Sequence, residues 1–304
     1  MLNSGRGAMN IALKCKPWKP LDFTDFSFSP ECSYCRTRQW ETEIHFSLRV
    51  VALLDTDTLP RFLFNGTSVD PSVKKVCAYY GGYHSRDHSC ELIRMGFPDL
   101  ILIENPANLG FGRAVNQGFR RSRGKYLLIL NPDVILLPGA VEKAINFLEG
   151  HSEITLLLPK LLNPDGTLQF SCRTFFNLTT LLLRRTPLGK VFPNHRVIRE
   201  HLMTDWNHDE VREVDWGLGA CMFLRREAIG DGNLFDERFF LYFEDIDLCF
   251  RLKNEGRKVI YYPDAAMVHY HVRESARGFM NRAKWELFIS LLKFYFKHGR
   301  LAPG

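Results

Sequence analysis

From about residue 85 onward, short apolar runs alternate with amphipathic stretches. Leu100–Glu104, Tyr126–Leu130, Ile154–Leu158, Gly219–Leu224 and Val259–Tyr262 are brief apolar segments bounded by turn residues, and such runs read as buried strands. Ser89–Met95 reads as a short helix. Gly110–Ser122 reads as a longer one, with apolar positions at Phe111, Ala114, Val115 and Phe119. Arg120, Arg121 and Arg123 near its end suit the negative pole of a helix dipole. Pro138–Glu149 is a helix with proline at its start, and Glu244–Glu255 is one that stops at Gly256. Asn281–His298 closes the pattern as an amphipathic helix. Alternation of strand and helix predicts an α/β fold with a largely parallel sheet.

Two regions do not follow the pattern. Residues 170–212 are irregular and biased to basic residues, with Arg173, Arg184, Arg185 and Arg196. Residues 1–84 hold Trp18, Pro20 and the cluster Phe23, Phe26 and Phe28 without a sustained period, and His45–Leu54 is the one strand candidate there.

Composition narrows the class. A chain of 304 residues buries a sizeable core, and 45% apolar residues is ordinary for a globular protein. A net charge of +6 with pI near 8.9 fits an anionic partner, either a nucleotide diphosphate or a membrane surface. No apolar run is long enough to span a bilayer, and no signal-peptide pattern is visible. Of the eight cysteines, Cys172, Cys221 and Cys249 fall in core segments and read as buried thiols. Cys32-Ser-Tyr-Cys35 has zinc spacing but lacks a second pair nearby. The expectation is a cytoplasmic, reduced protein with no nucleic-acid partner.

Candidate chemistry sits where strands end. Asn131-Pro132-Asp133 follows the run Tyr126–Leu130, and open α/β sheets bind ligands at the carboxyl ends of strands. Asp133 on a stiff turn can offer oxygen to a divalent cation. The same tripeptide recurs at Asn163-Pro164-Asp165-Gly166, where the glycine makes it a hairpin-like turn and nothing more. Glu244-Asp245 opens a helix, where carboxylates are stabilised by the dipole. The apolar wall Phe239–Phe243 beside it could raise a carboxyl pKa and make a general base. Asp247 and Arg251, four apart, read as an ordinary helical salt bridge. The last helix carries Trp285, Phe288, Ile289, Leu292 and Phe296 on one stripe, flanked by Lys284, Lys293, Lys297 and Arg300. That stripe is expected to dock on the protein's own core; contact with an anionic bilayer is the alternative.

Five motifs stand in order. They are Asn105-Pro-Ala-Asn108-Leu-Gly110-Phe-Gly112-Arg-Ala-Val-Asn116, Asn131-Pro-Asp133, Val214-Asp215-Trp216-Gly-Leu-Gly219-Ala220, Phe235-Asp236-Glu237-Arg238 running on to Glu244-Asp245-Ile-Asp247, and Pro263-Asp264 leading to His269. In this order and spacing the chain resembles the family 2 glycosyltransferases of GT-A fold, and their rhamnosyltransferase-like branch in particular. The resemblance implies that Asp245, with Glu244 beside it, supplies the base that deprotonates the acceptor. It implies Mg²⁺ or Mn²⁺ at Asp133, completed by His269. It implies donor or acceptor contact at Asn108, Gly110, Gly112, Asn131, Arg173, Asp215, Trp216, Gly219 and Ala220. The implied partners are a nucleotide-diphosphate sugar and a glycan or lipid-linked acceptor, with peripheral contact at the inner face of a membrane through the last helix.

The resemblance covers about residues 85–300 and stops short of residue 84. Relatives carry an Asp-Asn-x-Ser-x-Asp-Gly-Ser-like turn after their second strand. Here Gly82 and Tyr83 stand in the expected Asp and Asn places, before Ser85-Arg86-Asp87-His88-Ser89. An onset this abrupt is what a shifted reading frame or a fused leader produces. The expected organisation is an atypical segment over 1–84, poorly packed with Phe23, Phe26 and Phe28 exposed, followed by a GT-A-like catalytic region over 85–304. The expected function is inverting transfer of a sugar, rhamnose for preference. The alternative is a binding protein that kept the fold and lost its nucleotide site.

Overall fold

The computed structural model describes residues 49–55, 75–80, 94, 100–131, 133–185, 191–192, 194–230, 232–270 and 282–301. The described strands are β1 (Arg49–Asp55), β2 (Lys75–Tyr80), β3 (Leu100–Ile103), β4 (Tyr126–Leu130), β5 (Val134–Leu136), β6 (Ile154–Leu162), β7 (Cys172–Arg173), β8 (Arg212–Glu213), β9 (Trp216–Gly217), β10 (Cys221–Arg225) and β11 (Lys258–His269). The described helices are α1 (Phe111–Arg121), α2 (Ala140–Gly150), α3 (Leu178–Arg185), α4 (Arg196–Leu202), α5 (Glu244–Asn254) and α6 (Arg282–His298). The expected Ser89–Met95 helix lies outside the described residues apart from Arg94, which is helical. Cys32, Cys35, Phe23, Phe26 and Phe28 also lie outside them.

The main sheet runs β3-β2-β1-β4-β10-β6-β11-β5, with β8 on β11, and β7 pairs with β9 separately. The α/β architecture matches the expectation, but the sheet is mixed rather than largely parallel. Among the described strands β2/β3 and β6/β11 are parallel and the remaining pairs are antiparallel. Apolar runs report burial on two faces and carry no record of direction, which the connections decide. The strand expected over His45–Leu54 appears as β1. It runs antiparallel to β4, through Leu54↔Leu128, so its first residue faces the end of β4. β2 and β3 point with β4, so Tyr80, Ile103 and Leu130 end at one edge of the sheet.

β4 is fully buried along its length, and its side chains alternate between two core layers. Leu127 and Ile129 join Phe111, Val115 and Phe119 of α1, Ile246 and Phe250 of α5, and Phe294 of α6. Tyr126, Leu128 and Leu130 join Val141, Ala144 and Leu148 of α2. Helices on both faces explain why these strands read as continuous apolar runs. Burying a Leu or Phe side chain here contributes about 1.5–3 kcal/mol. Cys172, Cys221 and Cys249 are buried free thiols, as expected; burial pushes the Cys172 thiol up to about 12.

Two helix readings change in the structure. Asp247 is no surface partner for Arg251: it is fully buried and also accepts from Lys297 Nζ at 2.6 Å, while His298 Nε2 lies 2.7 Å away. The stripe of α6 expected to face the core faces outward instead. Trp285, Phe288, Leu292 and Phe296 are exposed, Phe296 by 81%, and Ile289 is half-buried. The buried face is Ala283, Ser290 and Phe294, with Leu287 and Leu291 packed on the core. The helix is apolar on both sides, so periodicity alone does not choose the buried one. Phe294 decides it by packing on Phe243 and Phe250.

Candidate active site

The site forms at the edge where β4 ends. Asn131 leaves β4 and its N–H donates to the Ala220 carbonyl at 2.8 Å. Gly219, the preceding residue, donates its N–H to Asp245 Oδ2 at 3.0 Å. These two bonds join three segments distant in sequence: the loop after β4, the turn before β10 and the first turn of α5. A Cβ on Gly219 would stand 3.3 Å from the Asp245 Cβ. Only a residue without a side chain lets the backbone come this close at no cost.

Asp245 is half-buried, and Ile246 N–H also donates to its Oδ1 at 2.8 Å. Burial pushes its carboxyl above the ordinary range, against the lowering effect of the two amide bonds. Glu244 beside it is buried. The turn presenting the pair is strained: Tyr242 and Phe243 have φ of 65° and 70°, a region that costs side-chain-bearing residues about 1–3 kcal/mol. Phe243 is held there by Phe176 and Phe294.

Asp133 and His269 come together from adjacent strands. β5 pairs antiparallel with β11, with His269↔Val134 in register. Tyr270 N–H donates to the Asp133 carbonyl at 2.8 Å, and His269 Nε2 lies 3.5 Å from Asp133 Oδ2. His269 is buried, and its Nδ1 lies 2.7 Å from Gln169 Oε1. Among the described residues, no group of three or more His, Cys, Asp or Glu side chains is placed to hold a metal ion. An oxygen and an imidazole nitrogen nonetheless suit Mg²⁺ or Mn²⁺, ions that take few protein ligands and complete their shell with water and phosphate. Cis ligands on an octahedral ion with bonds of about 2.1 Å lie about 3 Å apart, so the pair needs only a small adjustment. Gln169 was not singled out from the sequence as a site residue. It stands a hundred positions from His269, and the two meet because the turn after β6 folds Gln169 back beside Leu161 and Leu162, while β6 pairs in parallel with β11 through Leu162↔Val268.

The remaining candidates brace this framework. Asn108 Oδ1 accepts from Gly110 N–H at 3.2 Å. Gly110 has φ of 90° and packs on Phe240, and Phe111 N–H donates to the Phe240 carbonyl at 3.2 Å. Gly112 lies against Phe235. The motif thus grips the loop that leads into α5. Asp215 accepts from Phe175 N–H at 2.8 Å and from Lys253 Nζ at 3.2 Å. Trp216 is buried and donates from Nε1 to the Thr174 carbonyl at 2.9 Å. Arg173, paired with Trp216 across β7/β9, is nine-tenths buried and donates to the Cys172 carbonyl at 2.6 Å. The second tripeptide is a turn, as expected: Gly166 has φ of 81°, and its N–H donates to the Asn163 carbonyl at 2.9 Å.

The model of the glycosyltransferase-like family 2 matches residues 45–287. The N-acetylglucosaminyl-diphospho-decaprenol L-rhamnosyltransferase of Mycobacterium tuberculosis (strain CDC 1551 / Oshkosh) is 29% identical over 192 residues, 60% of this chain and 62% of that protein. Rhamnosyltransferase WbbL of Escherichia coli (strain K12) is 28% identical over 180 residues, 57% of this chain and 62% of that protein. The matched stretch thus spans about three fifths of the length of these curated relatives. With the family match extending across every candidate residue from Asn108 to His269, the chain belongs to glycosyltransferase family 2.

Proposed function

We propose that this chain transfers a sugar, rhamnose for preference, from a nucleotide-diphosphate donor to a glycan or lipid-linked acceptor, with inversion. The carrying observation is Asp245, a carboxylate with its pKa pushed up by burial, joined through Gly219, Ala220 and Asn131 to the loop of Asp133. Asp245 takes the proton of the acceptor hydroxyl. The acceptor oxygen forms its bond to the anomeric carbon as the bond to the diphosphate breaks on the opposite face. Asp133 and His269 would hold Mg²⁺ or Mn²⁺, which would neutralise charge developing on the diphosphate. Gly219 packs directly on Asp245 and steadies it through its N–H, Ala220 ties that turn to the Asp133 loop, and Arg173, Asp215 and Trp216 brace the adjoining segment. Glu244 supports the field around Asp245. The names of the matched relatives support rhamnose and a lipid-linked acceptor.

A peripheral seat at the inner face of the membrane belongs to the same reading. No helix among the described residues is long and apolar enough to cross a bilayer. The exposed stripe of Trp285, Phe288, Leu292, Tyr295 and Phe296 instead suits the interface of an anionic lipid surface. Arg282, Lys284, Lys293 and Arg300 lie along its flanks, and the chain carries net charge +6. Trp285→Ser with Phe288→Ser should cut sedimentation with phosphatidylglycerol vesicles; unchanged sedimentation would remove the stripe from that role. The proposed organisation keeps 85–304 as the catalytic region, which holds every residue assigned a role, but β1 and β2 within 1–84 extend its sheet and the family match begins at residue 45, earlier than the expected onset near 85.

The deciding experiment is transfer from a panel of nucleotide sugars, with and without Mn²⁺, to a lipid-linked acceptor. Turnover of one donor, with stereochemistry inverted in the product, is expected. Neither binding nor transfer of any donor by the folded protein would favour the alternative of a binding protein that lost its nucleotide site.

A further inference from the structure

The second Asn-Pro-Asp-Gly turn reaches the first through a chain of side-chain amides whose polarity is fixed at one end. Thr167 Oγ1 donates to the Asp165 carboxylate at 2.6 Å, and Thr167 N–H donates to the same oxygen at 3.0 Å. With its proton committed there, the Thr167 hydroxyl can only accept from Asn163, whose Nδ2 lies 2.9 Å away. The same Nδ2 faces the Leu168 carbonyl at 3.4 Å, which is also acceptor-only. Asn163 Oδ1 therefore faces Gln169, and Gln169 Nε2 donates to it at 3.1 Å. That nitrogen also faces the His269 carbonyl at 3.4 Å. Gln169 Oε1 is left to meet His269 Nδ1 at 2.7 Å, so Nδ1 must carry a proton. Reversing any amide in the series would set two donors or two acceptors against each other.

We propose that Gln169, oriented by the Asn163–Thr167 turn, is a positioning residue that holds the Nδ1–H of His269 and so turns its Nε2 toward Asp133. Gln169 is nine-tenths buried and its backbone N–H is bonded to the Leu161 carbonyl at 2.9 Å, so the side chain has little freedom to swing away. The imidazole is itself almost wholly buried, which prevents water from substituting for the amide. Partners that fix a ligating histidine from behind typically change metal affinity by about 10–100-fold when lost. The inference deepens the reading of Asp133 and His269 as a cation site and rests on it.

Two readouts test it. The first is the long-range nitrogen–proton NMR spectrum of metal-free wild-type protein labelled at histidine, at about pH 8, where an ordinary imidazole is neutral. His269 should appear with Nδ1 protonated. A ring protonated at Nε2 alone, or a mixture of the two tautomers, would overturn the proposal. The second is Mn²⁺ titration followed by electron paramagnetic resonance. Gln169→Leu should weaken Mn²⁺ binding by about 10–100-fold, and Gln169→Glu, which keeps an oxygen opposite Nδ1, should restore most of it. Equal affinity in the wild type and the Leu variant would also overturn it. If the Leu variant does not fold, the wild-type spectrum still decides. An Nδ1–H tautomer in a wild type that binds no Mn²⁺ would sink the cation reading of the site and leave the tautomer assignment standing.

Discussion

Replacing Asp245 with Asn removes a charge and a proton acceptor while keeping the shape, and the structure sets both consequences. Two amides hold the carboxylate, Gly219 N–H at 3.0 Å and Ile246 N–H at 2.8 Å. An asparagine side chain has one acceptor oxygen, so one of these N–H groups loses its partner, at a cost of about 1–3 kcal/mol. Burial already disfavours the charged carboxyl, so removing the charge offsets part of that cost. The net stability change should stay within about 2 kcal/mol. The rate should fall far more, because a positioned base contributes about 10²–10⁴-fold, equivalent to about 2.7–5.5 kcal/mol. The assay is transfer rate at saturating donor, alongside donor affinity and thermal unfolding. Transfer should drop by at least about 100-fold, while donor affinity shifts by less than about threefold, or 0.7 kcal/mol. The acid limb of the wild-type pH profile should lie above the ordinary aspartate value of about 3.9. The stability linkage has the matching sign. A raised folded-state pKa contributes stability at low pH that is lost as pH rises through it, and the Asn variant should lack this slope. Transfer within about tenfold of wild type, only about 1.4 kcal/mol, would remove Asp245 from the role of base.

Asp133→Ala should abolish or sharply weaken Mn²⁺ binding measured by calorimetry, whereas Asp165→Ala, which leaves the Leu168 carbonyl facing Asn163, should weaken it only slightly; equal losses would erase the distinction between the two turns. Gly110→Ala should destabilise the fold by about 1–3 kcal/mol, because φ is 90° and the new Cβ would meet the Phe240 carbonyl at 2.8 Å; urea unfolding at unchanged slope checks this. Asp247→Ala should cost about 3–5 kcal/mol, since it takes the buried carboxylate from Arg251 and His298 and leaves Lys297 with Asp236 alone; a thermal midpoint near wild type would show that the cluster contributes little.

The sequence by itself determined most of the long strands and helices after residue 100 and nominated the candidate residues of the site. Tyr126–Leu130 and the helix after Gly110 are legible because burial on both faces of a strand, or on one face of a helix, leaves a local period in the chain. Asp133, Asp245 and His269 are legible because strand ends and first helical turns are local features. Tertiary structure alone decided what these features meet. The mixed sheet depends on connections that apolar runs do not encode, and β1 shows this by running against β4. Asp247 has the spacing of a surface pair and becomes a buried hub because α6 folds back over α5. The outward turn of Trp285 and Phe288 follows from which of two apolar faces finds room beside Phe243 and Phe250. Gln169 gave no signal in sequence, because a hydrogen bond to His269 leaves no period, cap or spacing behind. It exists through the turn that folds Gln169 back on β6 and the register of β6 on β11, where contacts far apart in the chain are set by the packing of the whole sheet.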